Sequence, residues 1–194
     1  MRGFARWLFR LTGWKTEGAV HQPPRFVLIA APHTSNWDAV ILIVAAYCFG
    51  VRISWYVKHT AFFWPLGPIV RYFGGVPIDR RTRQNAVQQG VEMFAQREHF
   101  ILAVPPEGTR GRGDGWKTGF YHIACGAQVP IVLGFIDYAR KVAGLGPTLV
   151  PTGNIESDFR VLADFYNTIT PRFPQHRGEV RPSPTREPPP SPAS

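Results

Sequence analysis

Ala31-Pro32-His33-Thr34-Ser35-Asn36-Trp37-Asp38 lies between two apolar runs, Phe26-Val27-Leu28-Ile29-Ala30 before it and Ala39 to Val51 after it. A short apolar run, a polar turn and a longer apolar run read as a buried strand, a loop and a buried helix. In α/β units of this kind, ligands and chemistry gather in the turn at the carboxyl end of the strand. His33 and Asp38 are the two titratable groups of that turn. Five residues of regular helix would place them about 140° apart, so they meet only if His33 lies in the turn and Asp38 in the first helical turn.

Two roles compete for Asp38. A carboxylate beside an imidazole fixes its tautomer and leaves the second ring nitrogen to act as a base. Equally, Ser35-Asn36-Trp37-Asp38 has the spacing of a capping box, in which hydroxyl and carboxylate each serve a backbone N–H at the helix start. The eight residues alone leave both open.

The whole chain narrows the partners. Its 194 residues suit one domain with an ample core. A formal net charge of +9, from 22 Lys and Arg against 13 Asp and Glu, points to polyanions: nucleic acid, an anionic membrane surface or phosphorylated substrates. Aromatic residues make up 13% and charged residues only 18%, a balance that favours a membrane surface over nucleic acid. Cys48 and Cys125 both stand in apolar surroundings, so they read as buried thiols of a reducing compartment and imply no disulfide framework.

At the N-terminus Phe4, Trp7, Leu8 and Leu11 repeat at helical spacing, with Arg2, Arg6 and Arg10 off that stripe. This predicts a basic amphipathic helix over 1–14, either an interfacial anchor or a helix packed on the domain. The eleven uncharged residues Ala39 to Phe49 fall well short of the ~20 that span a bilayer. Further strands are expected at Ile53 to Val57, Phe100 to Val104, Val129 to Leu133 and Thr148 to Pro151. Helices are expected at Gln84 to Arg97, Lys117 to Ala127 and Ser157 to Thr168. Ala61 to Val70 is too interrupted by proline for one regular helix and too apolar for an ordinary loop. It reads either as buried or as an apolar wall open to lipid or an acyl chain. His59 reads as an ordinary strand-end residue. From Pro174 the Pro-, Ser- and Arg-rich composition predicts a disordered tail, 174–194.

Two more polar knots follow strands. Gly75-Val76-Pro77-Ile78-Asp79-Arg80 offers glycine and guanidinium, and Pro106-Glu107-Gly108-Thr109-Arg110 combines an acid, a hydroxyl and an arginine. Together with His33-x4-Asp38 and Val129-Pro130-Ile131-Val132, these four blocks in this order resemble the glycerolipid acyltransferase family, of the 1-acylglycerol-3-phosphate acyltransferase type. Pro-Glu-Gly-Thr-Arg matches residue for residue, the second block approximately. Pro32, Pro105 and Val76-Pro77 depart from the family pattern without removing a catalytic group.

The resemblance implies that His33 deprotonates an acceptor hydroxyl and that Asp38 orients it. It further implies that Arg80, Glu107, Gly108, Thr109 and Arg110 hold the acceptor phosphate. The acyl donor would be the thioester of acyl-CoA or acyl carrier protein, and no covalent intermediate, metal or further cofactor is called for. The expected partners are an anionic membrane surface, the donor, and a lyso-lipid or glycerol-phosphate acceptor, with no nucleic acid. The expected place is the cytoplasmic face of a membrane, as a peripheral protein of phospholipid biosynthesis. The rival reading is a non-catalytic lipid-binding protein on the same scaffold; the presence of both His33 and Asp38 speaks against it, since binding alone needs no base. No Gly-x-Ser-x-Gly elbow, dinucleotide fingerprint or P-loop occurs. The expected fold is a single α/β domain over 15–173, with a mostly parallel or mixed sheet flanked by helices and preceded by the amphipathic helix.

Overall fold

The run after Arg25 contains only apolar side chains, and it forms a strand buried on both faces at the centre of the sheet. The computed structural model describes residues 2–19, 24–58, 60, 62–78, 83–108, 111 and 113–184. In chain order its strands are β1 (Lys15–Glu17), β2 (Arg25–Ala31), β3 (Ser54–Lys58), β4 (Gly75–Ile78), β5 (Phe100–Val104), β6 (Ile131–Asp137) and β7 (Val142–Leu149). Its helices are α1 (Arg2–Leu11), α2 (Asn36–Phe49), α3 (Leu66–Tyr72), α4 (Arg83–Ala95), α5 (Gly119–Ala127) and α6 (Ile155–Tyr166).

One mixed sheet takes all seven strands in the order β1-β7-β6-β2-β5-β3-β4. Strands β2 to β6 run parallel, β7 returns antiparallel beside β6, and β1 pairs parallel with β7 at the edge. Strand pleating splits β2 between two cores. Val27, Ile29 and Ala31 pack under α4, α5 and α6, with Leu102, Leu133, Phe120 and Leu162 around them. Phe26 and Leu28 face the other way, towards Ala46 of α2. Further along that second face, Ala5 and Phe9 of α1 pack on Ala45 and Cys48 of α2. Each large side chain removed from water in this way contributes about 1.5–3 kcal/mol before chain entropy is counted. The expected single α/β domain with a mixed sheet, flanking helices and an N-terminal helix is therefore what forms.

Several local expectations shift. Strand β7 starts at Val142, not Thr148, although Gly144, Gly146 and Pro147 look like breakers. The irregularity opposite Val132 and Gly134 absorbs them, and among the described residues β1 pairs only with Val142 to Gly144, short of Pro147. Strand β6 continues to Asp137, four residues past its expected end. Helix α3 begins only after Pro65; Pro68 sits in its first turn, where a missing N–H is tolerated. The proline-broken segment is open rather than buried, with Phe63, Trp64, Leu66 and Ile69 all exposed.

The tail expected to be disordered from Pro174 is structured through Pro184. A short 3-10 helix spans Pro174–His176. Arg177 then donates to the carbonyls of Tyr166 and Ile169 at the end of α6, at 2.5 and 3.2 Å. Trp116 exchanges backbone hydrogen bonds with Arg181 and Ser183. Composition misled here because this segment is held mainly by backbone groups and one guanidinium, with Val180 packed against the core.

Candidate active site

Parallel pairing of β2 with β5 and β6 brings three strand ends to one edge of the sheet. Ile29 stands opposite Val104, and Ala31 opposite Phe135. The turns that follow therefore converge: Pro32 to Ser35 after β2, Pro105 to Gly108 after β5 and Tyr138 after β6.

The capping box is real. Ser35 caps α2, its Oγ accepting from Trp37 N–H at 3.2 Å, and Asp38 is the third helical residue. Asp38 Oδ2 accepts from the N–H groups of Thr34 and Ser35, both at 2.7 Å. The same oxygen lies 3.6 Å from His33 Nδ1. Capping and orientation are thus not alternatives: one carboxylate, 1% exposed, holds the turn with one oxygen and presents that oxygen to the imidazole. The 3.6 Å spacing is ion-pair reach and slightly longer than a hydrogen bond; such contacts tighten when substrate binds. The His33 side chain remains 18% exposed.

Glu107 reaches across from the third block. Its Oε2 accepts the backbone N–H of His33 at 2.7 Å, so this carboxylate is engaged within the protein. Burial pushes its carboxyl up to about 7; the charge of Asp38 adds to the rise, while the His33 hydrogen bond and the Arg177 charge oppose it. Burial in turn lowers the Arg177 guanidinium below its ordinary value, against the pull of Glu107. Gly108 turns with φ of 66°, and a Cβ there would meet the Lys117 side chain at 2.5 Å. Arg80, Thr109 and Arg110 lie outside the described residues, as does His59.

Three contributors were not foreseen. Tyr138 Oη donates to Asp38 Oδ1 at 2.5 Å. Phe173 N–H donates to Thr34 Oγ1 at 3.3 Å, tying the C-terminal segment to the turn that carries His33. Arg177, from the same segment, supplies the cation beside Glu107. The signal for Tyr138 was present: it follows the strand that borders β2 on the side opposite β5, where chemistry-bearing turns collect. Ending that strand at Leu133 hid it. Among the described residues, no group of three His, Cys, Asp or Glu side chains is arranged to hold a metal ion.

A family model described as Acyltransferase matches residues 15–133, more than half of the chain, and includes the His33, Asp38 and Glu107 turns. Among solved structures, the crystal structure of the 1-acyl-sn-glycerophosphate (LPA) acyltransferase, PlsC, from Thermotoga maritima superposes with a TM-score of 0.56. The two chains are 19% identical, over 84% of this chain and 74% of that one, a likeness that carries the fold. No curated protein sequence matches the chain significantly.

Proposed function

The chain belongs to the acyltransferase family, and on that footing we propose that it acylates a phosphorylated, lipid-like alcohol. The donor is the thioester of acyl-CoA or acyl carrier protein, and the acceptor a hydroxyl of glycerol phosphate or a lysophospholipid, as in a step of phospholipid biosynthesis. One observation carries the reading: His33 and Asp38 face each other at 3.6 Å in a turn that Glu107 of the third block locks from the other side.

The chemistry balances on these residues alone. The far nitrogen of His33 takes the acceptor's hydroxyl proton as the oxygen attacks the thioester carbonyl. The C–S bond breaks, and the departing thiolate recovers the proton from the imidazolium, leaving ester and free thiol. Asp38 keeps Nδ1 protonated and stabilises the transient imidazolium. Arg80 and Arg110 are proposed to grip the acceptor phosphate through bidentate guanidinium contacts, with Gly108 and Thr109 supplying close backbone approach.

The reaction is proposed to take place at the cytoplasmic face of a membrane. Support comes from apolar side chains left in solvent: Phe4, Trp7 and Leu11 on α1, Trp37 and Val40 at the start of α2, and Trp64, at 85% the most exposed of them. Among the described residues no helix is long and apolar enough to cross a membrane, which suits a helix lying in the interface.

The test uses the full chain with acyl-CoA or acyl carrier protein, plus lysophosphatidate or glycerol phosphate on lipid vesicles. Thiol release that requires the acceptor, with the new ester seen by mass spectrometry, is the expected result. Thiol release without an acceptor would mean hydrolysis, and acceptor binding without release would mean a non-catalytic lipid binder; either overturns the reading.

A further inference from the structure

We propose that Tyr138 is a positioning residue of this site, its hydroxyl holding the Asp38 carboxylate in the orientation that keeps Oδ2 against His33. The inference rests on His33 as the reactive base. Asp38 has two oxygens, and the turn uses only one of them: Thr34 N–H, Ser35 N–H and His33 Nδ1 all gather at Oδ2. A carboxylate torsion is soft and nearly two-fold, so contacts at one oxygen leave the plane of the group poorly set. Tyr138 Oη, 2.5 Å from Oδ1, fixes the second oxygen and with it the plane.

Tyr138 is itself held on several sides. Its N–H donates to Thr170 O at 2.9 Å. The ring edge meets Trp14 at 5.2 Å and 87°, and the Arg172 guanidinium sits 5.9 Å from the ring centre. Burial, then the Asp38 carboxylate, pushes the phenol well above its ordinary value, with Arg172 opposing, so it stays a donor throughout the working pH range. A rigid donor on a buried carboxylate also draws off part of its charge.

That charge effect gives Tyr138 a signature that packing alone would not leave. Without the hydroxyl, Oδ2 carries more negative charge against Nδ1, so the imidazolium is favoured and His33 titrates at higher pH. Among the described residues, the charged groups around the pair include Glu107 at the His33 N–H, Arg177 beside Glu107, and Arg172 beside the Tyr138 ring and hydroxyl. Glu107 and Arg177 keep their contacts in Tyr138→Phe, which also keeps the ring against Trp14; Arg172 loses its hydrogen bond to the hydroxyl but keeps its place by the ring.

The experiment compares the full-length wild type and Tyr138→Phe by NMR titration of ¹⁵N-labelled histidine, the His33 signal being assigned from its loss in His33→Ala. Expected is an upward shift of His33 on the order of half a unit. With it should come a roughly ten-fold fall in kcat at little-changed KM, the scale of one lost charge-assisted hydrogen bond. Incorporating 3-fluorotyrosine keeps ring and hydroxyl but strengthens the donor, and should move His33 the opposite way. A His33 titration that stays put or moves down in Tyr138→Phe, with only thermal stability reduced, would make Tyr138 a packing residue and overturn the proposal. An upward shift in Tyr138→Phe, with a wild type that transfers no acyl group, would uphold the Tyr138–Asp38–His33 coupling and sink the acyl-transfer reading instead.

Discussion

His33 donates its backbone N–H to Glu107 Oε2 at 2.7 Å, so the residue proposed as the base is fastened by a carboxylate from a different strand end, 74 positions along the chain. The bond sets the height of the β2 turn against the β5 turn. It also leaves a carboxyl in a place where ionisation is costly, since Asp38 is close by and water is largely excluded.

Stability should therefore fall with rising pH through this group. Glu107 is raised from 4.5 to about 7 on folding, so between those values the unfolded chain releases a proton that the folded chain keeps. The contribution is fully present below the unfolded value, is lost as pH rises through the folded one, and amounts to ~3 kcal/mol at most. Glu107→Gln, which keeps an acceptor for His33, should show a Tm advantage over wild type that grows between about pH 4.5 and 7 and then levels off. A pH-independent difference in calorimetry would show that Glu107 does not titrate in this range.

His33→Ala should abolish transfer while leaving the fold intact, a loss on the order of 10²–10⁴-fold for a missing general base. Asp38→Asn should be severe in two ways, because the same oxygen serves two backbone N–H groups and the imidazole. Turnover falls, and stability falls with it. Ser35→Ala, which removes only the cap to Trp37, should cost ~1 kcal/mol and leave kcat nearly untouched. Turnover near wild type in folded His33→Ala would end the mechanism.

For the phosphate, Arg80→Lys and Arg110→Lys are the informative changes, since lysine keeps the charge and loses the fork. KM for the acceptor should rise, with kcat/KM down about ten- to a hundred-fold and donor KM little affected. A defect confined to the donor would place these arginines on the phosphates of coenzyme A.

The two sides of α1 should respond differently. Phe9 is 5% exposed against α2, so Phe9→Ala should cost ~3–5 kcal/mol of stability. Trp7 and Phe4 are 55% and 68% exposed, so a Phe4→Ser, Trp7→Ser double variant should keep its Tm. It should nevertheless sediment less with anionic vesicles. The arginines' share of wild-type binding should weaken as salt screens it. Vesicle binding equal to wild type would show that the lipid contact lies elsewhere.

Much of this was readable in advance, for identifiable reasons. Buried parallel strands such as β2 and β5 announce themselves as unbroken apolar runs, and the helix start at Asn36 announces itself by its capping box. The spacing from His33 to Asp38 permitted contact only across a turn, and that is the arrangement found. Tyr138 was missed because Gly134 and Asp137 resemble strand terminators. Gly134, however, packs on the Ile29 backbone, and Asp137 satisfies the N–H groups of Ala139 and Arg140. The periodicity of α1 identified its exposed stripe but not its buried one, which consists of Ala5 and Phe9. Arg177 was hidden in proline-rich sequence, where composition says nothing about carbonyls waiting at a helix end.

Trp37 and Asp38 are consecutive residues, one 58% exposed and the other sealed beside the imidazole. If the indole rests among lipid headgroups, the histidine proposed as the base sits close to a two-dimensional solvent, and its acceptor arrives sideways by lateral diffusion. The quantity that sets the rate is then the acceptor's mole fraction in the bilayer. Diluting a fixed amount of acceptor with inert phospholipid should slow the reaction, even though every bulk concentration of enzyme, donor and acceptor is unchanged.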